Sequence, residues 1–106
     1  MPARIAVHHG ETVIVEITGE LVDITSKSTW DALAPVVRDH ARVHVVLDGL
    51  LELDKIGLEV LLLSAELAHT RGNDLTWSGA PDPVAQVLAD TSVIGVMRFA
   101  PPPVCR

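Results

Sequence analysis

Glu20, Asp23, Asp48 and Asp54 are four carboxylates that fall at the ends of short apolar runs, where the chain could gather them at one edge of a sheet. Paired carboxylates can exchange protons as general acid and base, and strand ends in α/β sheets often carry ligands. The commoner use of such residues is to cap helices and turns, since a carboxylate accepts hydrogen bonds from otherwise unpaired backbone amides. Asp54 has the position of a helix cap. Lys55 then stands in the first turn, where bare amides and the helix dipole favour an anion over a cation. A pair with Glu59 one turn on would offset part of that cost, although lysine ahead of glutamate is the weaker order. The five histidines have no metal-ligand spacing, and one cysteine supports neither an internal disulfide nor a thiolate cluster. With no glycine-rich phosphate loop and no ordered serine, histidine and aspartate set, the expectation is a protein without catalytic residues, cofactor or metal.

Composition narrows the partners. The 106 residues carry 14 acidic against 8 basic side chains, for a formal charge of -6, with two Trp, one Phe and no Tyr. Neither a phosphate-binding patch nor a platform for stacked bases can be built from these, so direct nucleic-acid binding is not expected. No apolar stretch has the length of a signal peptide or of a membrane span, which takes about 18 residues, so the expected location is cytoplasmic. At this length one domain is expected, over residues 1–100, with a proline-rich mobile tail over 101–106. Cys105 in that tail could join two chains under oxidation, and a weak homodimer is left open.

The elements that must position these residues follow from periodicity and punctuation. Arg4 to His8 and Thr12 to Thr18 flank His9-Gly10-Glu11, and Val13, Val15 and Ile17 alternate with polar residues, which predicts a hairpin with one wet face. A helix begins near Thr25 or Ser26, with Trp30, Leu33, Ala34, Val37 and Ala41 as its buried stripe and a kink expected at Pro35. Val43 to Leu47 reads as a central strand, with His44 its only polar member, and Asp48 to Asp54 as a loop. A second helix of about fifteen residues runs to near Arg71, closed by Gly72 in the left-handed conformation. A strand at Leu75 to Trp77, a third helix opening at Asp82-Pro83 and an edge strand at Val96 to Phe99 complete the chain. The expected fold is α/β, a mixed and mostly parallel sheet of about five strands in the order ββαβαβαβ, with helices packed against it.

Projected at 100 degrees per residue, the second helix places Lys55, Glu59, Leu62, Glu66 and Thr70 on one polar stripe. Nearly everything else on it is apolar or small, so it is either sandwiched between elements or keeps part of its surface for another molecule. Leu62 is expected to be exposed in the middle of the stripe. Ser64 falls opposite, with its hydroxyl bonding back to the carbonyl four residues earlier.

Three segments carry a family resemblance: Gly19-Glu20-Leu21 followed by Thr25, Asp54 with Gly57-Leu58, and Pro83-Val84 through Val87-Leu88. Their order and spacing resemble STAS domains, the family of bacterial anti-sigma-factor antagonists, over roughly Thr12 to Phe99. The resemblance implies the STAS fold and a protein partner, an anti-sigma factor of kinase-like fold, docking around the start of the second helix. In the family a serine directly after the aspartate is phosphorylated there, and the added charge releases the complex. Here Lys55 and Ile56 occupy the serine positions, and neither has a hydroxyl. Val22 stands where the family has an aspartate, with Asp23 one residue late, and the loop before Asp54 is about two residues short. The expected function is therefore a STAS-type binding module that docks through Glu20, Asp23, Asp54, Lys55, Ile56, Gly57, Glu59 and Leu62 without phosphorylation at the usual place. The alternative within the same resemblance is an accessory subunit of a lipid-transporting ABC system.

Overall fold

A computed structural model of the chain describes residues 3–23, 25–79, 81, 82, 85, 86 and 97–101. The chain enters through an antiparallel hairpin, β1 (Arg4–His8) and β2 (Val13–Leu21), then α1 (Thr25–Asp39). β3 (Arg42–Val46), β4 (Leu50–Leu53), α2 (Lys55–Arg71) and β5 (Asp74–Ser78) follow. The sheet runs β1-β2-β3-β5, with β4 also on β2, and every pairing after the hairpin is parallel. This is the mixed, mostly parallel five-stranded sheet expected from the sequence.

Two elements differ from the expectation. Leu50–Leu53, within the span read as a loop, is a strand, and the order through β5 is ββαββαβ. It was illegible because Leu50 and Leu53 are buried while Leu51 and Glu52 between them are exposed, so the segment lacks the period of two that marks a strand. The expected edge strand at Val96 to Phe99 reduces, among the described residues, to one parallel bridge between Phe99 and Trp77. The third helix lies mostly outside the described residues, with Pro83, Val84, Val87 and Leu88; Asp82, Ala85 and Gln86 are helical, and the Ala85 N–H donates to the Pro81 carbonyl. The tail beyond Pro101, with Cys105, also lies outside them.

β2 organises the sheet. Its first half, Val13 to Glu16, pairs with β3, and its last residues, Gly19 to Leu21, pair with β4 across a register shift at Gly19/Glu20. One nine-residue strand thus supports two shorter ones end to end. Val13, Val15, Ile17, Val43, Val45, Leu75 and Trp77 form the buried side with Leu33 and Val37 of α1 and Leu58, Leu61 and Ala68 of α2. Each valine, leucine and isoleucine among them contributes about 1.5–3 kcal/mol by leaving water. α1 continues through Pro35, whose ring is exposed, and α2 ends at Gly72 with φ 71, the left-handed residue that glycine adopts without a Cβ clash. No helix among the described residues is long and apolar enough to cross a membrane.

On the opposite side of β3, His44 is buried at 2% exposure. Its Nδ1 lies 2.7 Å from Thr76 Oγ1 and its Nε2 2.7 Å from Ser78 Oγ, both on β5. A neutral imidazole suits this pair, donating from one nitrogen and accepting a hydroxyl proton at the other. Burial accordingly pushes the His44 pKa down. The folded state then resists a proton that the unfolded chain accepts near the ordinary value of about 6.5. His44 therefore lowers stability as pH falls from that value toward its depressed folded pKa, and has no such effect above it. In thermal melts between about pH 7 and about pH 5, above the carboxylate range, Tm is expected to fall for the wild type and to fall less for His44→Gln. Equal slopes for the two proteins would exclude His44 as the titrating group.

Candidate functional site

The β2–α1 turn and the start of α2 are held together by one side chain. Asp54, in extended conformation, caps α2 by accepting the Gly57 N–H at Oδ1, 2.8 Å away. Its Oδ2 accepts the Asp23 N–H at 3.0 Å. Asp23 itself is in the left-handed region at φ 48, which aspartate tolerates better than most residues, and its carbonyl accepts the Ser26 N–H. The carboxylate therefore fixes the entries to both helices. As a cap it answers the sequence expectation; the tether to Asp23, thirty-one residues away, had no sequence signal.

Gly57 explains how α2 reaches this position. It is buried, and a Cβ there would strike the Leu21 carbonyl and come within 2.9 Å of Leu53 Cδ1. The first turn of α2 sits directly against the end of β2, so only glycine fits without displacement. Glu20 is half-buried on β2 in register with Glu52 of β4, while Asp23, Lys55 and Glu59 are exposed. Ile56 is 47% exposed. Seven of the eight sequence-predicted residues thus belong to one neighbourhood around the Asp54 bridge, from the end of β2 to the first turns of α2.

Leu62, the eighth, is corrected. It is half-buried and packs against the core, while Leu63 is 46% exposed. α2 leans on α1 as well as on the sheet, so its buried arc takes in Leu62 and Ala65. Lys55, Glu59, Glu66 and Thr70 stay exposed as expected, and the wet face reaches about 40 degrees further, at 100 degrees per residue, to take in Leu63 and Ile56. The expected Lys55–Glu59 ion pair is not formed among the described residues. Ser64 is buried as predicted, but its hydroxyl donates three residues back, to the Leu61 carbonyl, instead of four. Ser26 is buried too, inside α1 and not at its cap, so neither serine offers an accessible hydroxyl.

The histidines stay apart from this region. His8 pairs with Glu16 at 3.7 Å, and His9 and His40 meet with ring centroids 5.6 Å apart. A hollow of about 360 Å³ beside His40, lined also by Glu11 and Arg42, lies at the hairpin end of β2, opposite Asp54. Among the described residues no three His, Cys, Asp or Glu side chains are grouped to hold a metal ion.

A nine-residue strand shared by two parallel neighbours, with a helix seated on its end through a capping aspartate and a glycine, defines an α/β domain of STAS type. The family described as "Mlab, STAS domain" matches residues 6–98, and the chain belongs to that family. An anti-sigma factor antagonist from Mycobacterium paratuberculosis shares the fold with a TM-score of 0.80 at 17% identity, over 94% of this chain and 86% of the other. The anti-sigma factor antagonist SpoIIAA in its unphosphorylated form gives 0.71 at 15% identity, over 93% and 88%. The phosphorylated form of the Bacillus cell fate determinant SpoIIAA gives 0.66 at 14%, over 93% and 91%. At these identities the likeness is one of fold. No curated protein matches in sequence.

The two-amide bridge can be tested directly. Asparagine has one acceptor oxygen, so Asp54→Asn is expected to speed hydrogen exchange at either Asp23 or Gly57, and Asp54→Ala at both. Loss of the cap alone costs about 0.5–2 kcal/mol. Unchanged exchange at both amides in Asp54→Asn would show that the bridge does not persist in solution.

Proposed function

We propose that this protein is a non-enzymatic, cytoplasmic STAS module that binds an anti-sigma factor through the surface around Asp54 and the first turns of α2. Its occupancy is set by abundance, by competing partners or by modification at another site, instead of by phosphorylation at the start of that helix. The observation that supports this most is the Asp54 bridge, which makes the Asp23 turn and the Lys55-Ile56 turn one rigid ledge. Ile56 on that ledge exposes a large apolar side chain that the fold itself leaves half in water. Burying the exposed half of such a side chain in a partner is worth about 1 kcal/mol. Both oxygens of Asp54 accept backbone amides, an arrangement suited to holding loops and ill suited to a general base. Lys55 and Ile56 lack hydroxyls, and Ser26 and Ser64 are buried.

Affinity capture from the native cell with wild-type and Ile56→Asp baits tests the reading. Recovery of an anti-sigma factor by the wild type, reduced by about tenfold in the variant with native circular dichroism, is the expected result. Recovery of ABC transporter subunits instead would replace the proposal with the lipid-transport alternative. Stoichiometric phosphate after incubation with cognate kinases and ATP would remove the unswitched part of the proposal. Leu62→Asp is a poor probe, because Leu62 packs against the core and the change would act through stability.

A further inference from the structure

We propose that the exposed stripe of α2 is a seam for a helix of the partner, and that this helix alternates arginine or lysine with leucine-sized residues along the side it presents. The proposal rests on α2 as the docking element and adds the chemistry of what docks there. Ile56, Glu59, Leu63, Glu66 and Thr70 follow one another at spacings of three, four, three and four residues, the repeat that lets two helices interlock along a common line. All five are exposed, the two apolar members by nearly half.

The charges on the seam select the occupant. Glu59 and Glu66 alternate with Ile56 and Leu63, and neither forms an ion pair among the described residues. Lys55, one turn before Glu59, leaves it unmatched. Two half-exposed aliphatic side chains bury too little to hold a helix alone, and a neutral partner would dehydrate both carboxylates without compensation. A basic residue opposite each glutamate removes that penalty and adds a charge-assisted hydrogen bond. A second copy of this chain fails the same test: its stripe holds no basic residue, so in either orientation each glutamate meets another glutamate, an aliphatic side chain or Thr70.

Two synthetic amphipathic peptides provide the probe. Both carry leucine at heptad spacing, one with arginine and the other with glutamate at the facing positions between, and each is titrated into isotope-labelled protein and followed by NMR. The arginine peptide is expected to shift the amides of Ile56, Glu59, Leu63 and Glu66 and to bind about tenfold more tightly than the glutamate peptide. The doubly substituted Glu59→Lys/Glu66→Lys protein should reverse that preference, and Glu59→Gln/Glu66→Gln should abolish it. Equal binding of both peptides, shifts confined to another surface, or an unreversed preference would overturn the proposal. An anti-sigma factor captured equally by wild type and Glu59→Lys/Glu66→Lys, but lost with Ile56→Asp, would remove the seam and leave the functional reading intact. Arginine-peptide selectivity with no anti-sigma factor captured would do the opposite.

Discussion

The arrangement of this domain depends on one carboxylate satisfying two backbone amides from distant parts of the chain. Asp54 caps α2 and tethers the turn that opens α1, so the two helices start from a common point. That is possible only because β4 delivers the chain to the end of β2, in register Leu21 to Leu53, and because Gly57 lets the helix close onto the Leu21 carbonyl. The register shift at Gly19/Glu20 belongs to the same construction, since it is there that β2 passes from one parallel neighbour to the next. A methyl group at position 57 would force the helix off the strand, at an overpacking cost of about 1–3 kcal/mol or more.

The two sides of the sheet are stabilised differently. One is an apolar layer closed by α1 and α2, where tolerance to change is governed by volume. The other holds a polar set, His44 with Thr76 and Ser78, whose members must stay mutually hydrogen-bonded because unpaired polar atoms are costly away from water. The candidate surface lies at the far end of β2 from the hairpin, so it draws on the rigidity of both sides without containing the buried histidine.

Much of the fold was legible because its signals are local. The alternation from Val13 to Ile17, the cap at Asp54 and the stop at Gly72 each follow from a few adjacent residues. β4 was hidden because Leu-Leu-Glu-Leu buries its two ends and not alternate residues, a pattern set by the neighbours it meets. One edge of the stripe on α2 was misplaced, with Leu62 taken for exposed and Leu63 for covered, for a related reason: with apolar residues on most of the helix, only its tertiary contacts decide which leucine is covered. The grouping of Glu20, Asp23 and Asp54 followed from their places at the ends of apolar runs as well as from resemblance to a family, whereas the hydrogen bond that enforces it required coordinates.

The absence of a hydroxyl at positions 55 and 56 has a bearing on time. A surface marked by phosphate keeps a record of past signalling until an enzyme erases it, and the record outlasts the stimulus. A lysine and an isoleucine keep none. In the proposed role, these two positions store nothing, and the ledge they form would respond as quickly as its complexes dissociate and as slowly as the protein's own concentration changes.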